Sequence, residues 1–136
     1  MKLTGFLFAA ALLGACTQAA EENYTRHVDP KIGTGGHGHV FVGANVPFGL
    51  VQVGPTSIPQ TWDWCSGYHA SDSTVIGFSH THLSGTGIGD LFDITVMPVV
   101  GEVTYARGEE NDPASGLWSY ADRTREITKP GYYSVP

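Results

Sequence analysis

Residues 91–105 read LFDITVMPVVGEVTY, and this stretch decides the fold. Over residues 91–97 the chain alternates, with Phe92, Ile94 and Val96 on one face and Asp93, Thr95 and Met97 on the other. A period of two marks a β-strand, because successive Cβ atoms point to opposite sides of the pleat. Pro98 interrupts the run, and Val99, Val103 and Tyr105 resume an alternation beyond it. Upstream, residues 40–42, 50–53 and 74–78 are short, β-branched apolar runs, the first two separated by the turn signals Gly-Ala-Asn and Pro-Phe-Gly. Downstream, residues 107–121 are polar and turn-rich, as an exposed hairpin loop is, and the charged residues 122–129 suit a solvated strand. Pro130-Gly131 followed by Tyr132 and Tyr133 starts a further strand rather than finishing a domain. Closely spaced strands without helical periodicity between them predict an all-β, antiparallel β-sandwich rather than a parallel βαβ sheet. With no closing element after it, the last strand would keep an unpaired edge. The sandwich is therefore expected to be incomplete at its C-terminus, with apolar faces uncovered.

The first residues read differently. Lys2 precedes an apolar run over residues 3–13, the pattern of a secretory signal. The run is too short to span a bilayer, which takes roughly 20 apolar residues. It ends in Leu13-Gly14-Ala15-Cys16, which resembles the lipobox of bacterial lipoproteins. That resemblance implies cleavage before Cys16, lipid on its thiol, and a protein exported and lipid-anchored in the bacterial envelope, at the periplasm or the cell surface. The chain then divides into a signal (1–15), a flexible tether (16–26) and a β domain (27–136). With Cys16 lipidated, Cys65 is left without a disulfide partner, either as a nucleophile or as a small packing residue. Loss of Lys2 leaves six basic residues of the original seven against thirteen acidic ones. An acidic chain without a Lys/Arg cluster argues against nucleic acid as a partner.

Chemistry concentrates in residues 62–90, WDWCSGYHASDSTVIGFSHTHLSGTGIGD. Trp62, Trp64, Tyr68, His69, His80 and His82 lie among serines, threonines and glycines, with Asp63, Asp72 and Asp90 between them. A plain core wants Leu, Ile, Val and Phe, and a disordered linker lacks aromatics. Aromatic faces beside short polar groups suit a pocket for a polar, many-hydroxyl ligand. On a strand, Trp62 and Trp64 would share a face, either as a stacking platform for a sugar ring or as core residues, with Trp62 the better placed at a site. His80 and His82, also i and i+2, would point into one space, as would His37 and His39 in the glycine-rich run 33–39. A zinc site needs three or four ligands, and Asp72, Asp90 and Asp93 are available beside a His-x-His pair; a zinc hydrolase using both His-x-His pairs is one reading. Alternatively, the histidines bond loop backbones and hydroxyls. The glycine run lacks the lysine of a phosphate-binding loop and fits no GxGxxG spacing. Asp63, Asp72, Asp90 and Asp93 could include a glycosidase acid pair, but spacing alone does not pair them.

Five blocks carry a family resemblance: VDPKIGTGGHGH (28–39), GANVPFGLVQVGP (43–55), WDWCSGYH (62–69), GFSHTHLSGTG (77–87) and GDLFDITVMP (89–98). In order and over nearly all of residues 28–135, they resemble the N-terminal domain of glycoside hydrolase family ninety-two, exo-acting, calcium-dependent, inverting α-mannosidases. Lys31 departs from the bulky apolar residue usual there. The resemblance implies a galactose-mutarotase-like supersandwich followed by a helical (α/α)6 barrel, with the active site between them. It implies substrate-facing roles for Trp62, Cys65, His80 and His82, and also for His37, His39, His69 and Asp72. The general acid, the base and the main calcium ligands would lie in the barrel, absent from these 136 residues. The expected partners are mannose-containing glycans, the protein's own C-terminal catalytic domain, and the membrane through Cys16. The fragment alone would be inactive, and a non-catalytic carbohydrate-binding or interface module is the alternative.

Overall fold

Glycine and proline cut the chain into strands of two to five residues, each too short to form a sheet without several neighbours. The computed structural model describes residues 21–43, 49–83, 85–89, 94–103, 105–109 and 112–136, and for residues 107–109, 113 and 114 the backbone alone. The signal, Cys16, the turn at 44–48, Asp90 and Asp93 lie outside the described residues. The strands are β1 (Gly54–Thr56), β2 (Thr74–Val75), β3 (Gly77–Ser79), β4 (Thr95–Val96), β5 (Arg107–Glu109), β6 (Asp112–Gly116), β7 (Ser119–Tyr120), β8 (Ile127–Lys129) and β9 (Tyr132–Ser134). Three 3-10 turns, Tyr24–His27, Trp62–Trp64 and Arg123–Arg125, complete the elements, and no α-helix occurs among the described residues.

All observed pairings are antiparallel, as the all-β reading requires. One sheet runs β1-β3-β4, and β2-β7, β5-β6 and β8-β9 form two-stranded pairs. The β5-β6 pair is the hairpin expected in residues 107–121, and Pro130-Gly131 turns β8 into β9. Residues 74–78 are two strands rather than one. Gly77, at φ +151°, turns the chain so that β2 joins β7 while β3 joins β1 and β4.

Two expected strands are displaced. Residues 40–42 form no ladder, although Val42 is 2% exposed and its carbonyl lies so close to Gly54 that a Cβ there would come within 2.3 Å. Residues 50–53 leave Leu50 95% exposed, and the strand begins only at Gly54. β4 covers only Thr95–Val96, both exposed, and Ile94 and Val96 are each more than half exposed.

The buried interior mixes a few apolar side chains, Val42, Ile58, Tyr68, Val75 and Trp118, with many hydroxyls. Buried polar groups must be hydrogen-bonded or they cost stability. Here Thr56, Ser79 and Thr95 form a hydroxyl chain across β1-β3-β4, with contacts of 2.5 and 2.9 Å, and the Thr74 hydroxyl accepts from the Ile58 amide.

The charged segment 122–129 is not simply solvated. The Glu126 side chain is 1% exposed and that of Arg123 is 14% exposed. Glu126 accepts from Lys31 (2.6 Å), Arg123 (2.7 Å), Tyr133 (2.7 Å) and Tyr68 (3.0 Å), so its charge is buried fully partnered. Burial would push the Glu126 carboxyl up, but its bonds to Lys31 and Tyr133 and the Arg123 charge hold it below the usual carboxylate range. Burial pushes the Tyr133 and Tyr68 hydroxyls up, keeping them neutral donors.

Candidate functional site

Trp62 and Trp64 lie in the 3-10 turn Trp62–Trp64, not on a strand, and this separates them. At three residues per turn, i and i+2 point apart. Trp64 goes inward: its ring stacks on His69 at 4.2 Å and its Nε1 donates to Asp72. Trp62 stays outside, 59% exposed, with its Nε1 donating to the Gly87 carbonyl.

The inward group is satisfied locally. His69 is 7% exposed and its ring nitrogens meet the Ser71 hydroxyl (2.8 Å) and the Gly36 carbonyl (3.3 Å). Asp72 accepts from Trp64, Gln60 and the Thr74 amide, while its own carbonyl accepts from Arg123. These contacts fix the loops that carry the outer group.

The outer group joins two distant loops. The His39 ring meets the Trp62 ring edge-on at 4.2 Å, and the His37 ring lies 5.5 Å from it. His37 Nδ1 bonds Asp63 Oδ1 at 2.5 Å, and His39 Nε2 lies 3.6 Å from the same oxygen. The three ligand atoms all fall within 4.8 Å of one another. The bond from His37 holds the Asp63 carboxyl below the usual carboxylate range, against the cost of desolvation. His39 has φ +53°, a left-handed backbone that is uncommon outside glycine. Its carbonyl is pinned by the Ser66 hydroxyl and the Gly85 amide, both at 2.7 Å. Gly87, at φ +66°, packs so close that a Cβ would lie 3.0 Å from the Trp62 ring.

His80 and His82 do not join this group. β3 ends at Ser79, so they are not strand neighbours. His80 Nδ1 meets the Ile94 carbonyl at 2.9 Å, while His82, 6% exposed, stacks on Phe41 at 4.8 Å. A metal centre combining both His-x-His pairs is therefore not assembled. His82 instead lines a cleft of about 560 Å³, together with Phe41, Gln52, Val40, Val28 and Thr86. The Trp62 group lies outside that cleft, across the 85–87 loop. Cys65, half-buried, closes the 3-10 turn by donating its amide to the Trp62 carbonyl.

Residues 27–136 match the model of the glycosyl hydrolase family 92 N-terminal domain. The chain belongs to this family. The family 92 α-mannosidase of Bacteroides thetaiotaomicron is similar to it both alone and in complex with mannoimidazole. In each case the identity is 42% and the TM-score 0.78, over 84% of this chain and 15% of that one. An uncharacterized secreted glycosidase of Arthroderma benhamiae is 32% identical over 87 residues, which is 64% of this chain and 11% of the relative. The chain thus spans about one-seventh of its solved relative's length.

The calcium expected of the family does not fit the described cluster. Calcium takes six to eight oxygen ligands, whereas His37, His39 and Asp63 offer two imidazoles and a single carboxylate. Asp63 is the site residue the sequence reading left unassigned. Only its fold-dependent approach to His37, 26 residues away, marks it.

Proposed function

We propose that these residues are the N-terminal part of an exo-acting α-mannosidase, and that the exposed Trp62 face and its neighbouring imidazoles wall the subsite of the terminal mannose. The similarity at 42% identity to an α-mannosidase crystallised with mannoimidazole carries the reading. An exposed indole beside His37, with a polar rim, suits the apolar face of a pyranose. The reaction is inverting: a carboxylic acid protonates the leaving oxygen while a carboxylate activates water on the opposite face. The acid, the base and the oxygen ligands of calcium come from a helical domain outside these residues. The uncovered Ile94 and Val96 suit contact with such a domain. The secreted relative supports export, and the Leu13-Gly14-Ala15-Cys16 motif supports a lipid anchor on Cys16.

The test is the full-length protein assayed on α-mannosides with calcium present. Terminal mannose should be released as the β-anomer, activity should vanish with chelator, and calcium should restore it. The 136-residue chain alone should be inactive. Trp62→Ala should lower kcat/KM about tenfold, the equivalent of a stacking contact worth about 1.4 kcal/mol. A full-length enzyme inactive on every α-mannoside overturns the proposal.

A further inference from the structure

His39 Nε2 is buried, its side chain 5% exposed, and it has no hydrogen-bond partner. A buried nitrogen in that state costs stability unless something meets it. It faces the oxygen of Asp63, 3.6 Å away, on which His37 Nδ1 also converges.

We propose that His37 Nδ1, His39 Nε2 and Asp63 Oδ1 bind a zinc ion that clasps the 33–39 loop to the turn at Trp62–Trp64. Two imidazole nitrogens and one carboxylate oxygen are a zinc ligand set, with a fourth position open to water. Tetrahedral bonds of about 2.1 Å place ligand atoms about 3.4 Å apart. The His39–Asp63 separation of 3.6 Å already meets this. The His37–Asp63 contact must widen from 2.5 Å, and the His37 side chain, 75% exposed, is able to move. The backbone is set in advance: the His39 carbonyl is held from two sides, and the residue keeps a left-handed conformation. Zinc would give the orphaned nitrogen its partner. The inference does not depend on the mannosidase reading, and it differs from calcium in ligand chemistry.

The experiment is equilibrium dialysis of the full-length protein, purified without a histidine tag, against zinc, with elemental analysis as readout. One zinc ion per chain is expected at this cluster, excess calcium should not displace it, and His80→Gln should leave it in place. His37→Gln, a substitution at an exposed side chain that should not disturb folding, and Asp63→Asn should each weaken binding at least about 100-fold. Cobalt should quench Trp62 fluorescence in the wild type, because the indole lies 4.2 Å from the His39 ring, and should not do so in His37→Gln. No zinc uptake, or uptake unchanged in folded His37→Gln and Asp63→Asn variants, overturns the site.

Discussion

The Lys31 ammonium reaches the carboxylate of Glu126, 95 positions away. The bond to Glu126 raises the proton affinity of Lys31, opposed by desolvation, so the pair is fully charged at neutral pH. Replacing Lys31 by Met removes one of four partners from a buried charge. Lys31→Met should therefore destabilise the domain by about 1–2 kcal/mol. That is the lower part of the range for a charge-assisted bond, because the Lys31 side chain is 37% exposed. Urea denaturation measures this, and a variant as stable as the parent would refute it. Such a pair was invisible in the sequence. Lys31 and Glu126 read there as two solvated charges, and only the fold sets one against the other.

The β1-β3-β4 sheet depends on one glycine. Gly77 combines φ +151° with a position where a Cβ would lie 2.7 Å from Thr95 Cγ2 and 3.0 Å from the Val96 carbonyl. Gly131, between β8 and β9, has φ +71° and open space around it. Gly131→Ala should cost about 1 kcal/mol, the left-handed backbone penalty alone. Gly77→Ala should cost about 3 kcal/mol, adding a clash with backbone that cannot move aside. Paired thermal melts decide it, and equal losses would show that contact with β4 contributes nothing. The elements themselves were partly legible. The β5-β6 hairpin and the β8-β9 turn follow from local turn chemistry. Residues 40–42 failed as a strand because burial and an extended backbone do not guarantee a ladder partner.

For the molecule as a whole, Glu126 sets the acid limit. Its folded proton affinity lies below the ordinary 4.5, so its contribution is fully present above that pH and is lost as pH falls through the folded value. Stability should fall between pH 5 and the onset of acid unfolding, and Glu126→Gln should flatten that fall while lowering stability at pH 7. Thermal melts of both proteins from pH 7 to pH 3 provide the check, and parallel curves would assign the acid sensitivity elsewhere. Among the described residues, Leu50, Val100 and Tyr105 are each more than 90% exposed. Such exposure follows from short strands with too few neighbours to cover both faces.

Strand class, antiparallel pairing and the family were all written in local pattern and motif. A period of two, turn residues at fixed offsets and contiguous blocks such as WDWCSGYH need no distant partner to be read. The grouping of the histidines was not. His80 and His82 look equivalent to His37 and His39 along the chain, yet β3 ends before the first pair and sends its members to different neighbours. The second pair meets Asp63 because the 3-10 turn at Trp62–Trp64 brings that carboxylate to the glycine-rich loop. Contacts across 26 and 95 positions arise from the folding of loops onto one another, which no local spacing encodes.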